Sequence, residues 1–140
     1  MEDKIILVDT SILIDFYRKT DKSKSAWIAL VRQGFEFAIS AITKYEIYCG
    51  ATPAQLVFWE NVLQNMIVLS FDAATAKTAV DINNGLKRKR KQIDIADLFI
   101  ASTAIIYQLP FATLNKKHFD RIDELKMVEW ANPQKHPTSD

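Results

Sequence analysis

Three acidic side chains stand where a folding chain would ordinarily place hydrocarbon: Asp9, Glu46 and Asp97. Asp9 closes the apolar run Ile5-Ile6-Leu7-Val8. Glu46 sits between Tyr45 and Ile47 with Ile42 one turn earlier, and Asp97 interrupts Ile95-Ala96-Asp97-Leu98-Phe99-Ile100-Ala101. A carboxylate withdrawn from water costs several kcal/mol unless it is paired or holds a metal. Three such placements in one short chain suggest a shared site, and a site of carboxylates alone suits hard cations such as Mg²⁺ or Mn²⁺. Each acid also has a plain local use. Asp9, Thr10 or Ser11 can each cap a helix that begins there, and Glu46 can pair with Lys44. Asp94, one turn before Asp97, can cap their helix, bind a cation or divide those tasks, with capping the expected role. The helix of Asp97 is apolar almost all round and so is expected to be buried, with Ala101 and Ala104 opening space on the same face.

The elements needed to position these acids follow from short apolar runs that alternate with helical patterns. Strands are expected over 4–8, 35–39, 67–69 and 111–113, with an edge strand over 127–129. Helices are expected from the Asp9-Thr10-Ser11 cap to about 18, then over 22–33, 41–49, 53–66, 72–87 and 94–107. A short helical turn is expected over 118–122. Strands separated by helices imply βαβ crossovers, hence an α/β fold with a mostly parallel sheet and helices on both faces. In such sheets the functional edge lies beyond the carboxyl ends of the strands, which is where Asp9 falls.

Composition removes most other chemistries. The chain has 140 residues and 49% hydrophobic content, room for one domain with a sizeable core. Its net charge is +1, so binding of nucleic acid would depend on local patches. The three glycines, Gly34, Gly50 and Gly85, are too dispersed for a GxGxxG fingerprint, a phosphate-binding loop or a GxSxG elbow. His118, His136 and Cys49 do not have zinc-site spacing. Cys49 alone forms no internal disulfide and is expected as a small buried helix residue. No signal-peptide pattern occurs, and no apolar run approaches the roughly 18 residues of a membrane span, so a soluble cytoplasmic protein is expected.

One local patch does occur. Lys87, Arg88, Lys89, Arg90 and Lys91 place five cations just before Asp94 and Asp97. They read either as a solvated helix end or as a strip that guides a polyanion toward the acids, and their position favours the strip. His118 has no evident acidic partner and is expected to be structural or exposed. Trp27, Trp59 and Trp130 are expected in the core or an interface, none lying in an aromatic–basic pattern suited to stacking on single strands. Phe58 and Trp59 are a candidate exposed patch for a protein contact.

Four segments in order carry a family resemblance: Ile6-Leu7-Val8-Asp9-Thr10-Ser11, then Thr43-Lys44-Tyr45-Glu46, then Asp97-Leu98-Phe99-Ile100-Ala101-Ser102-Thr103-Ala104, and finally Thr113-Leu114-Asn115-Lys116-Lys117-His118-Phe119. Together they resemble PIN-domain nucleases, and in length and order the VapC-type toxins of toxin–antitoxin pairs. The resemblance runs to about Val128, giving a domain over 1–131 and a disordered tail over 132–140. It implies a three-layer α/β/α sandwich and a Mg²⁺- or Mn²⁺-dependent endoribonuclease. Asp9, Glu46 and Asp97 would be the metal ligands, assisted by Thr10 or Ser11. Asn115, with Thr113 beside it, stands where many members have a fourth acid, and Asp94 is a candidate replacement for that charge. The implied partners are RNA, a second copy of the chain and a VapB-like antitoxin. Two other functions remain open on the residues: a non-catalytic RNA- or protein-binding module with a PIN-like scaffold, and a phosphatase using Asp9 as nucleophile. The phosphatase pattern wants a second Asp at the position of Ser11.

Overall fold

The computed structural model describes residues 4–130; the tail expected over 132–140 lies outside them. Four strands, β1 (Ile5–Val8), β2 (Glu36–Ser40), β3 (Ile67–Leu69) and β4 (Phe111–Ala112), form one sheet in the order β3-β2-β1-β4. Every neighbouring pair is parallel, with Ile5 opposite Glu36, Leu7 opposite Phe111 and Ala38 opposite Ile67. Successive residues of a strand face opposite sides. Ile6 and Val8 accordingly join a core with Ile12, Leu30, Ile39 and Trp59. Leu7 joins the other core, with Leu86, Leu98, Ile100, Phe111 and Phe119. A strand buried on both faces needs an unbroken apolar run, which explains Ile5-Ile6-Leu7-Val8. The expected three-layer α/β/α sandwich is present.

Helices α1 (Thr10–Arg18), α2 (Ala26–Arg32), α3 (Ala41–Cys49), α4 (Pro53–Leu63), α5 (Ala73–Lys89), α6 (Ile95–Ile106) and α7 (Lys116–Phe119) connect and cover the strands. Thr52 and Gln55 form a reciprocal capping box at α4, with Pro53 in its first turn. Helix α5 runs past the expected stop at 87 to Lys89, and Arg90 closes it in the left-handed region at φ 57°.

Several expectations change. The single helix over 22–33 is a 3-10 turn at Lys22–Lys24 followed by α2, because Ser25 caps α2 by accepting from the Ile28 amide. The helical turn near 118–122 forms earlier, as α7. The edge strand over 127–129 reduces to one bridge between Phe111 and Met127. Cys49 is exposed, not buried. It lies two residues, about 200° around the helix, from buried Ile47. Trp59 is 3% exposed and its ring packs 5.6 Å from that of Tyr17, so Phe58 and Trp59 make no open patch. Among the described residues no helix is long and apolar enough to cross a membrane.

Lys22 holds the end of α1 in a way the sequence did not show. Its Nζ donates to the carbonyls of Phe16, Tyr17 and Lys19 at 2.9, 3.0 and 3.2 Å, and lies over the Phe16 ring. A cation is favoured at a helix C-terminus, where carbonyls lack partners. Lys22→Met keeps the stem and removes the charge. It is expected to lower stability by about 1–2 kcal/mol, read as a shifted urea midpoint with unchanged slope.

Candidate metal and catalytic site

The site forms at the carboxyl edge of the sheet, where Asp9 directly follows β1 and Thr113 directly follows β4. Asp9 is 2% exposed. It occupies the N-cap position of α1, yet its side chain makes no cap hydrogen bond. Instead Oδ2 accepts from Thr113 Oγ1 at 2.7 Å and from Ser11 Oγ at 2.8 Å. Burial raises the Asp9 carboxyl above the ordinary carboxylate range, and those two hydroxyls with the Thr10 and Ser11 amides pull it partly back. Ser11 Oγ also accepts from the Leu114 amide at 3.1 Å, which ties the loop after β4 to the start of α1.

Thr10 reaches toward α3. Its hydroxyl donates to Glu46 Oε1 at 2.7 Å, and its oxygen lies 2.9 Å from that of Thr43. Glu46 is therefore fixed by Thr10; Lys44, the partner considered from sequence, lies over the Tyr48 ring. Thr43 is fully buried and its amide donates to Ser40 Oγ, the cap of α3.

Asp97 enters from the first turn of α6. Its carboxyl is pushed up to about 6, first by burial, then by the negative charges of Asp9, Asp94 and Glu46, while His118 lowers it. His118 Nδ1 stands 3.8 Å from Asp97 Oδ2, so this histidine does have an acidic partner. Asp94 begins α6 but its side chain does not cap it; it adds negative charge beside Asp97 instead. Ala101 and Ala104 are wholly buried in the core and open no space at the site. Three elements thus bring Asp9, Glu46 and Asp97 into one electrostatic neighbourhood rich in negative charge.

Residues 6–125 match the family model described as PIN domain. The chain belongs to the PIN-domain family. It is 37% identical over 124 residues to Ribonuclease VapC1 of Methanocaldococcus jannaschii, covering 88% of this chain and 85% of that one. It is 33% identical to Ribonuclease VapC of Rickettsia bellii, covering 88% and 94% of the two. Among solved structures, a chain of VapBC2 from Rickettsia felis bound to a DNA fragment from their promoter superposes with TM-score 0.78. The identity there is 25%, over 91% of this chain and 99% of that one.

This PIN domain places its remaining sequence candidates less tightly. Asn115 is exposed at the start of α7, its amide donating to Thr113 Oγ1 at 2.9 Å. Lys87, Arg88 and Lys89 form the last turn of α5, and Lys89 pairs with Asp123 at 3.0 Å. Arg90 and Lys91 follow the helix, and all five cations are exposed. Arg121 was not singled out by sequence. It lines a cavity with Asp94 and His118, and its Nη1 donates to the Gln92 carbonyl.

Among the described residues no three His, Cys, Asp or Glu side chains are gathered closely enough to hold an ion as they stand. The chemistry nevertheless fits a hard cation. The donors are oxygens, and the Asp97 carboxyl is raised by three neighbouring acids with one imidazole opposing them.

Proposed function

We propose that this PIN domain is a metal-dependent endoribonuclease, the toxin of a VapBC-type toxin–antitoxin pair. The names of its relatives support RNA as substrate, and the convergence of Asp9, Glu46 and Asp97 at the sheet edge carries the chemical part. Those three would hold Mg²⁺ or Mn²⁺. Such an ion supplies charge neutralisation at a phosphodiester and activation of water. The chain's own residues prepare that site. Thr113 and Ser11 fix the orientation of Asp9, and Thr10 fixes Glu46. Asp94 adds negative charge next to Asp97, whereas Asn115 offers a neutral amide where a fourth acid would stand. Functional partners under this reading are RNA, a VapB-like antitoxin and a second copy of the chain, within the cytoplasm. The test is cleavage of RNA by purified protein with Mg²⁺ or Mn²⁺, lost in Asp97→Asn.

The basic run would track the RNA backbone. Replacing Lys87, Arg88, Arg90 and Lys91 together by Gln is expected to weaken RNA binding at every sequence alike. The plot of log affinity against log salt should flatten by up to roughly 3 if each cation meets a phosphate. An unchanged slope would leave the run as a solvated helix end.

A non-catalytic RNA-binding module is favoured by two observations: neutral Asn115 at the fourth acidic place and the absence of a gathered three-group cluster among the described residues. It predicts RNA binding indifferent to Mg²⁺, and no cleavage with any divalent ion.

A further inference from the structure

Thr43 lies one turn before Glu46 on α3 and is wholly buried, as is Ser40, which ends β2 and caps that helix. A hydroxyl withdrawn from water costs free energy unless it finds a partner. Among the described residues the Thr43 hydroxyl has two within reach, Thr10 Oγ1 at 2.9 Å and Ser40 Oγ at 3.4 Å. Ser40 Oγ already accepts from the Thr43 amide at 3.0 Å. Thr10 Oγ1 in turn lies 2.7 Å from Glu46 Oε1. Ser40, Thr43, Thr10 and Glu46 thus form one chain of oxygens, drawn from β2, α3 and α1, that runs from the interior to a carboxylate of the candidate site.

Each hydroxyl in that chain has one hydrogen, and the count fixes its direction. Thr10 faces two oxygens, and its hydrogen goes to Glu46, the shorter contact and the one to a charge. The Thr10 oxygen can then accept, and Thr43 has no nearer oxygen to which it can give its own hydrogen. Ser40 completes the order by donating to Thr43. We infer that Thr43 is a positioning residue for the metal-dependent reaction: its hidden hydroxyl orients Thr10, and Thr10 holds Glu46 by Oε1, which leaves Oε2 for the ion. The inference rests on the ribonuclease reading and deepens it by adding a residue that meets neither ion nor RNA. Local structure does not account for this threonine. Ser40 caps α3 through the Thr43 backbone amide, which any residue but proline would supply. A valine of the same shape would fill the buried position without hiding a hydroxyl. Bonds in such a chain polarise one another, so the hydroxyl of Thr43 also strengthens the grip of Thr10 on Glu46.

The test is a double-substitution cycle on metal binding, read by the electron paramagnetic resonance of free Mn²⁺, with Mn²⁺-dependent RNA cleavage measured beside it. Thr43→Val should weaken Mn²⁺ binding about tenfold, the low end of the range for loss of an outer-shell partner. Thr43→Ser keeps the hydroxyl and should stay within about twofold of wild type. Thr10→Val should weaken binding by about 10- to 100-fold, and Thr43→Val added to it should cost nothing further, because Thr43 acts only through Thr10. If Thr43→Val does not fold, Thr43→Ala takes its place in the same cycle. Wild-type affinity in folded Thr43→Val, whatever its melting temperature, would overturn the inference. So would an equal loss in Thr43→Ser, or an undiminished loss on top of Thr10→Val. The outcomes separate the two proposals. The expected Mn²⁺ cycle without RNA cleavage sinks the ribonuclease reading alone. Cleavage by wild type, with Thr43→Val binding Mn²⁺ equally well, sinks only the role of Thr43. A wild type that binds no Mn²⁺ overturns both.

Discussion

Asp97→Asn is expected to reduce Mg²⁺-dependent RNA cleavage at least a thousandfold, because charge stabilisation of about 4 kcal/mol or more is lost with the metal. The same change should leave the fold intact. Asp97 is a partly exposed residue of the first turn of α6, and the helix is anchored by buried Leu98, Ile100 and Ala101 rather than by this carboxylate. In metal-free protein near neutral pH the variant should melt at a higher temperature than wild type, because Asn removes repulsion with Asp9, Asp94 and Glu46. Added Mg²⁺ should reverse that order by stabilising wild type alone. At ten times its dissociation constant the ion contributes about 1.4 kcal/mol. A contaminating nuclease would show equal residual cleavage in both proteins and no crossing of the melting temperatures.

The second large effect is a pH dependence whose sign follows from the raised carboxylates. Asp97 titrates at about 6 in the folded state against 3.8 in the unfolded chain. Between those values the folded state binds more protons, so stability is greatest at the acid end of the interval and falls as pH rises through it. For a group sealed from solvent this displacement would carry roughly 3 kcal/mol. The Asp97 side chain is 21% exposed, so screening reduces the loss to about 1–2 kcal/mol. Asp9 is raised as well and contributes with the same sign. Asp72 and Asp21 act oppositely. Both are lowered by hydrogen bonds, Asp72 from Thr75 and Asp21 from Ser23, and their contributions are present above the unfolded value and lost as pH falls. Metal-free protein is therefore expected to be most stable near pH 5 and to lose stability by pH 7, while Asp97→Asn loses less. Because Mg²⁺ needs ionised carboxylates, its stabilising effect should be large at pH 7.5 and small at pH 5. Melting curves over pH 4–8 with and without Mg²⁺ check each part, and parallel profiles for the two proteins would contradict it.

Asp9 and Asp97 were legible because each breaks an apolar pattern whose origin is local. β1 is buried on both faces and α6 nearly all round, so a carboxylate in either stands out. Their hydroxyl partners were less legible. Thr113 lies 104 residues from Asp9, and they meet only because β4, late in the chain, pairs with the first strand. The pairings of His118 with Asp97 and Lys116 with Trp130 likewise depend on where α7 docks. Ser25 and Cys49 failed for another reason. A serine inside a helical pattern and a lone cysteine near a helix end carry too little periodicity to fix a cap or a face.

Asp9, Glu46 and Asp97 together are expected to hold a divalent ion. A crystal of the wild-type protein soaked in Mn²⁺ tests it directly through anomalous scattering. A peak bonded to Asp9 and Asp97 at about 2.1 Å, with Glu46 turned toward it and no such peak in Asp97→Asn, is the expected result. No peak between these three carboxylates, while Mn²⁺ occupies other acidic positions in the same crystal, would contradict it.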